Sequence, residues 1–144
     1  MVDYMTNKLY FLKTPFNLTI FFTCIFFLSM GGCSKYSDEV LENLNKLKKT
    51  KACSGCDLTG IELPGFDLKN ADLSGANLTG ANLARSDLTE ANLSDANLSD
   101  ANLLGANLTN AKLINTNLSG AKLSYSNING ADISGAVLKD AHMN

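Results

Sequence analysis

The side chains in this 144-residue sequence best suited to chemistry are Cys53 and Cys56, spaced as Cys-x-x-Cys. Two thiols at that spacing serve as a redox dithiol or as half of a zinc site. A structural zinc takes about four ligands, and beyond this pair the chain after residue 32 offers only Cys33 and His142, near opposite ends. A thioredoxin-type dithiol needs a strand–helix–strand setting, and the sequence around the pair does not supply one. In an oxidising compartment a Cys53–Cys56 disulfide is the preferred reading, buried free thiols are the next, and metal or redox chemistry is the last. His142 stands alone and reads as solvated at a frayed end. The frequent Asp and Asn residues suggest calcium, but their spacing fits neither an EF-hand loop nor a nonapeptide calcium repeat. Backbone hydrogen bonding and stacked amides are their expected role, as for Asn77, Asn97 and Asn117. No Ser–His–Asp set, phosphate loop or carboxylate pair stands out. The chain reads as a non-enzyme, with no cofactor and no small-molecule substrate.

What must position these groups is a repeat of five residues. From Cys56 to Asp140 the sequence runs through seventeen units, such as Ala71-Asp72-Leu73-Ser74-Gly75 and Ala106-Asn107-Leu108-Thr109-Asn110. The third residue is Leu or Ile in every unit, the first is Ala in eleven, and the second is Asp or Asn in thirteen. Five is not the helical 3.6, and an odd period cannot keep one residue type on one face of a flat strand. A turn must therefore reset the direction inside every unit. The fifth residue, Gly or Asn in eleven units, suits the positive φ that a type II turn requires. Pro64 falls one residue earlier, where its fixed φ is favoured. Arg85, Glu90, Asp95, Asp100 and Tyr125 break this rule, and a different turn is expected at their corners.

These residues resemble the pentapeptide-repeat family, whose motif is A-[DN]-L-x-x, over residues 56–144. The resemblance implies an all-β solenoid: a right-handed quadrilateral β-helix with four units per coil and first and third residues pointing inward. Seventeen units would make about four coils, or about 20 Å of stacked strands. Extending the register backwards makes Lys51–Gly55 one more unit, so the β-helix is expected over 51–144. Cys53 and Cys56 then both face inward around one corner of the first coil.

The segment before the repeat reads as an address and a tether. Lys8 and Lys13 precede the apolar stretch 16–30, which ends in small residues, so 1–32 is expected to be a cleavable signal peptide. Met30-Gly31-Gly32-Cys33 resembles a bacterial lipobox. That implies lipidation of Cys33 and a chain exported to the bacterial cell envelope, lipid-anchored on the outer-membrane or periplasmic side. Residues 33–50 would form the lipidated tether and a short capping α-helix. Ser37 is a good N-cap, Val40, Leu41, Leu44 and Leu47 recur at helical spacing, and lysines gather at the far end, where the helix dipole favours them. Such a helix, over roughly 38–49, would cover the open end of the solenoid; lying on a membrane surface is the rival reading.

With 12 basic and 14 acidic residues the net charge is −2, so there is no basic surface to collect phosphates and no nucleic-acid partner is expected. Some members of the family resemble DNA and bind gyrase, protecting it from quinolones. Residues 56–144 carry ten acidic and five basic side chains, with Glu90, Asp95 and Asp100 as the main cluster, but export would separate the chain from gyrase. The preferred expectation is an envelope-anchored interaction or structural module. A homodimer contact or a protein partner is expected at the C-terminal end of the solenoid, over about 121–144, through Leu138 and Met143, with outward Leu104 and Ile114 as further candidates.

Overall fold

A computed structural model describes residues 35–143. The chain divides into two units, Met1–Lys35 and Tyr36–Asn144, and every described element belongs to the second. Helix α1 spans Asp38–Thr50. The Ser37 side chain accepts from the Val40 N–H at 3.2 Å, and Lys51, at φ 53°, closes the helix by donating to the Leu47 carbonyl. Asp38 and Glu39 lie in the first turn and Lys48 and Lys49 in the last, which matches charge to the helix dipole.

After α1 the backbone bends every five residues, and each second-position residue pairs in parallel with the residue 20 positions on, from Ala52↔Asp72 to Lys122↔His142. Twenty residues, or four units, therefore make one coil. Four faces result. The first stacks Ala52, Asp72, Asn92, Lys112 and Asp132; the second Asp57, Asn77, Asn97, Asn117 and Val137; the third Glu62, Asn82, Asn102, Lys122 and His142; the fourth Asp67, Asp87, Asn107 and Asn127.

The motif follows from satisfying the backbone, since a buried N–H without an acceptor is costly. The first residue's N–H closes the turn, as Ala76 N to Leu73 O at 3.1 Å. The second donates to the preceding coil, as Asn92 N to Ala71 O, while the third and fifth donate to the next, as Leu73 N to Asn92 O and Gly75 N to Ser94 O. The fourth is left over, and where the second residue is Asp or Asn its side chain takes it: Asp72 Oδ1 accepts from Ser74 N at 3.2 Å and from Ser74 Oγ at 2.7 Å. Asn97 does the same for Ser99 N, and Asn107 for Thr109 N and Oγ1. Glu62 replaces Asp or Asn where the fourth residue is Pro64, which has no N–H to satisfy. Amides also stack between coils, as Asn102 Nδ2 on Asn82 Oδ1 and Asn117 on Asn97. Asn97 instead donates to Thr79 Oγ1.

First and third side chains fill the interior. Leu78, Leu98 and Leu118 lie in one column, no more than 1% exposed. Each buried leucine contributes about 1.5–3 kcal/mol. The buried Ser86 and Thr116 hydroxyls donate to the carbonyls of Leu83 and Leu93, each at 2.7 Å.

The expected change of turn at five corners does not occur. Arg85, Glu90, Asp95, Asp100 and Tyr125 have φ of 58–59°, beside glycines at 64–72°. Positive φ at the fifth residue alone is the type II pattern. A non-glycine residue there costs about 1–3 kcal/mol. The stack overrides that cost: Glu90 N donates to Thr109 O and Asp95 N to Ile114 O at 2.9 and 2.8 Å, and the turn bonds to Ala91 and Ala96 close as elsewhere. A different corner would forfeit these bonds and shift every later leucine out of its column.

Candidate interaction site

The two ends of the stack differ. At the first coil, Val40 and Leu47 of α1 join the buried cluster that contains Cys53, Cys56, Leu58 and Ile61. Asn43 Nδ2 donates to the Asp57 carbonyl at 3.0 Å, and the Lys48 ammonium lies 5.8 Å from the centre of the Phe66 ring. Leu41 stays exposed on the outer side of the helix. Cys53 and Cys56 are joined as a disulfide with their Cα atoms 5.2 Å apart. Cys53 is fully buried and Cys56 nearly so, because the register places them at a third and a first position. Cys33, the lipidation candidate, lies outside the described residues, as does the signal-like segment. Among the described residues no helix is long and apolar enough to cross a membrane, and no group of His, Cys, Asp or Glu could hold a metal ion.

At the opposite end lies a concavity of about 230 Å³, floored by Leu113, Leu118 and Leu123 and walled by Ile128, Ile133, Leu138 and Met143, with Tyr125 at its edge. Ile133 and Met143 are 42% and 51% exposed, against 1% for Leu113. Both sit at third positions, pointing inward like Leu113, but no described coil covers them. Direction alone does not bury a side chain here; it takes a layer on each side, a neighbouring coil or, at the first coil, α1.

Two of the expected interaction residues, Leu138 and Met143, thus meet in one concavity. Leu104 and Ile114 do not join it or each other. Leu104 follows Asn102 on the third face and Ile114 follows Lys112 on the first, on opposite sides of the square. The site also takes in Tyr125, Ile128 and Ile133, which the repeat pattern assigns to a turn and to the core. Tyr125 is 84% exposed on a positive-φ backbone. The one available signal was an aromatic residue at a position that elsewhere favours glycine. His142 is exposed, but its backbone is not frayed: its N–H and carbonyl pair with Ala121 and Leu123.

Charge is dispersed over the surface. Glu90, Asp95 and Asp100 occupy three successive corners rather than one stripe, and Asp67 and Asp87 are each 3.1 Å from a lysine, Lys51 and Lys69. Donors hold several carboxyls below the usual carboxylate range: the Ser74 and Ser134 hydroxyls and N–H groups for Asp72 and Asp132, the Thr89 hydroxyl foremost for Asp87, and the Lys69 N–H, then Lys51, for Asp67.

A family model for pentapeptide repeats matches the chain over residues 53–89, 67–105 and 101–140, with 8 copies. Among curated proteins none matches. Among solved structures, a pentapeptide repeat protein from Nostoc PCC 7120 is 25% identical, over 73% of this chain and 95% of that one, with a TM-score of 0.53. Rfr23, a pentapeptide repeat protein from the cyanobacterium Cyanothece 51142, is 32% identical, over 72% and 99%, with a TM-score of 0.49. A pentapeptide repeat protein from the thylakoid lumen of Arabidopsis thaliana is 31% identical, over 73% and 72%, with a TM-score of 0.41.

Proposed function

The chain belongs to the pentapeptide-repeat family, and on that premise we propose that it is a non-enzymatic interaction or structural module of the bacterial envelope. Its body is the right-handed quadrilateral β-helix of that family, about four coils long, with α1 as the cap of the first coil and the Cys53–Cys56 disulfide locking the cap's junction. Cys33 carries the lipid that holds it at the membrane. The open concavity receives a protein partner or a second copy.

One observation carries this reading above the rest: a stack whose interior is apolar and hydrogen-bonded ends in Ile128, Ile133 and Met143, all more than a third exposed. Apolar side chains gathered around unpaired strand edges form a surface suited to association. The Asp and Asn side chains that recur at second positions are accounted for by building the coil, which supports a scaffold rather than a catalyst.

Three measurements test it. Fractionation with intact-mass analysis should place the chain in the membrane fraction with a diacylglycerol adduct on Cys33; an unmodified chain in the cytoplasm would remove the envelope assignment. Mass before and after alkylation, with and without reduction, should report one Cys53–Cys56 bond. Ile133→Lys puts a charge in the concavity and should abolish any self-association or partner capture seen by light scattering. Association that persists unchanged would remove the site.

A further inference from the structure

The hydrogen bonds give the solenoid a chemical polarity. Toward the next coil each unit presents two donors, the N–H groups of its third and fifth residues, and one acceptor, the carbonyl of its first. Toward the preceding coil it presents two acceptors, the carbonyls of its second and fourth residues, and one donor. One end of the stack is therefore donor-rich and the other acceptor-rich.

Among the described residues, the N–H groups of Ile128, Gly130, Ile133, Gly135, Leu138 and Asp140 meet no acceptor. They surround the apolar concavity. At the acceptor-rich end, α1 and the turn after it bring donors: Asn43 Nδ2 to the Asp57 carbonyl at 3.0 Å, Thr50 Oγ1 to that of Ala52 at 3.2 Å, and Lys51 Nζ to that of Lys69 at 3.4 Å. The cover over this end is matched to it in hydrogen-bonding type as well as in apolar contact.

We infer that the open end is complementary to the covered one, so that the open coil of one copy accepts the first coil of another, and that α1 prevents this by occupying the acceptor-rich edge. The proposal rests on the reading that the concavity is a docking surface, and it names what docks. Two open ends meeting each other would set surplus donors against surplus donors, whereas head-to-tail addition pairs donors with acceptors throughout. The register also continues. Third positions Cys53, Leu58, Leu63 and Leu68 of the incoming coil fall over Ile128, Ile133, Leu138 and Met143, each unit matched to a unit. A heterologous contact of this kind does not close on itself, so with α1 displaced a single chain would extend into a filament. With α1 seated, the site is reserved for an acceptor-rich β-edge.

The test uses two full-length chains in mild detergent, neither able to polymerise. One is the unaltered chain, with its first coil covered and its other end open. The second carries Leu47→Asp to expel α1 and Ile133→Lys to block its own concavity. Mixed, they should form a one-to-one complex by light scattering, absent when Ile133→Lys is also placed in the first chain. Leu47→Asp alone should give a mass that rises with concentration. No one-to-one complex, with Leu47→Asp remaining at the mass of the unaltered chain, overturns the inference. If Leu47→Asp loses the β-solenoid circular dichroism, Leu47→Ser replaces it in the same mixture and is read the same way. Failure of the docking reading is separately visible: unaltered chain whose association ignores Ile133→Lys contradicts that reading, whereas a symmetric dimer sensitive to Ile133→Lys contradicts only the head-to-tail assignment.

Discussion

At the scale of the residue, the second position shows why Asp and Asn alternate freely. What the fold uses is one Oδ1 acceptor for the N–H two residues on, and both side chains provide it. Asp72 should therefore tolerate Asn, with Tm at pH 7 within about 2 °C of the parent. The charge matters only in acid. Because Ser74 holds the folded Asp72 carboxyl below the usual range, the unfolded chain takes up the proton first, and the stability present above about pH 4 is lost as pH falls through the folded value. Asp72→Asn should flatten that fall in a pH series of thermal melts; an identical slope would mean the carboxylate is not held as described. The fifth position is the opposite case, where side-chain identity and backbone geometry conflict. Glu90 has φ 59°, and Glu90→Asn should relieve about 1 kcal/mol, visible as a Tm raised by a few degrees. The conflict was legible from residue type; its outcome was not, because the turn is imposed by the coils on either side.

Among the elements, α1 was readable from local rules alone. Ser37 caps it, its charges follow the dipole, and the observed span Asp38–Thr50 extends the expected 38–49 by one residue. Ser37→Ala removes the acceptor for the Val40 N–H and should cost about 1 kcal/mol. Hydrogen exchange should quicken across 38–50 while residues 71–123 keep their protection; uniform loss would mean that α1 and the coils unfold as one unit. The outward candidates were harder. Leu104 and Ile114 stand ten residues apart, which in this fold is half a coil. They project from opposite faces, a relation that follows from the four-unit coil and not from the five-residue period.

Across the whole molecule, burial depends on position in the stack rather than on position in the motif. Leu93 and Ile133 share the third place in their units and the same column, yet one is fully buried and the other 42% exposed. Leu93→Asp should abolish cooperative unfolding by placing an unpaired charge in the core, while Ile133→Asp should retain a folded solenoid by circular dichroism. Equal damage from both would contradict the open end. The acidic cluster Glu90, Asp95 and Asp100, adjacent in the motif, is spread around three corners by the same geometry. It offers no continuous negative face of the kind a nucleic-acid mimic requires.

The sequence by itself determined the period, the apolar third position, the glycine and asparagine corners and the helix that precedes them, because each depends on residue type at short range. Its register, with the inward first and third positions that the family resemblance implies, also placed Cys53 and Cys56 inside the first coil. Only the tertiary structure decided that charged residues accept the glycine-like corner, that Ile128 and Ile133 are surface rather than core, and that the two ends differ in hydrogen-bonding character. Those properties belong to contacts between residues about twenty apart, where hydrogen bonds from neighbouring coils outweigh local preference and where, among the described residues, no coil lies over Ile128 and Ile133.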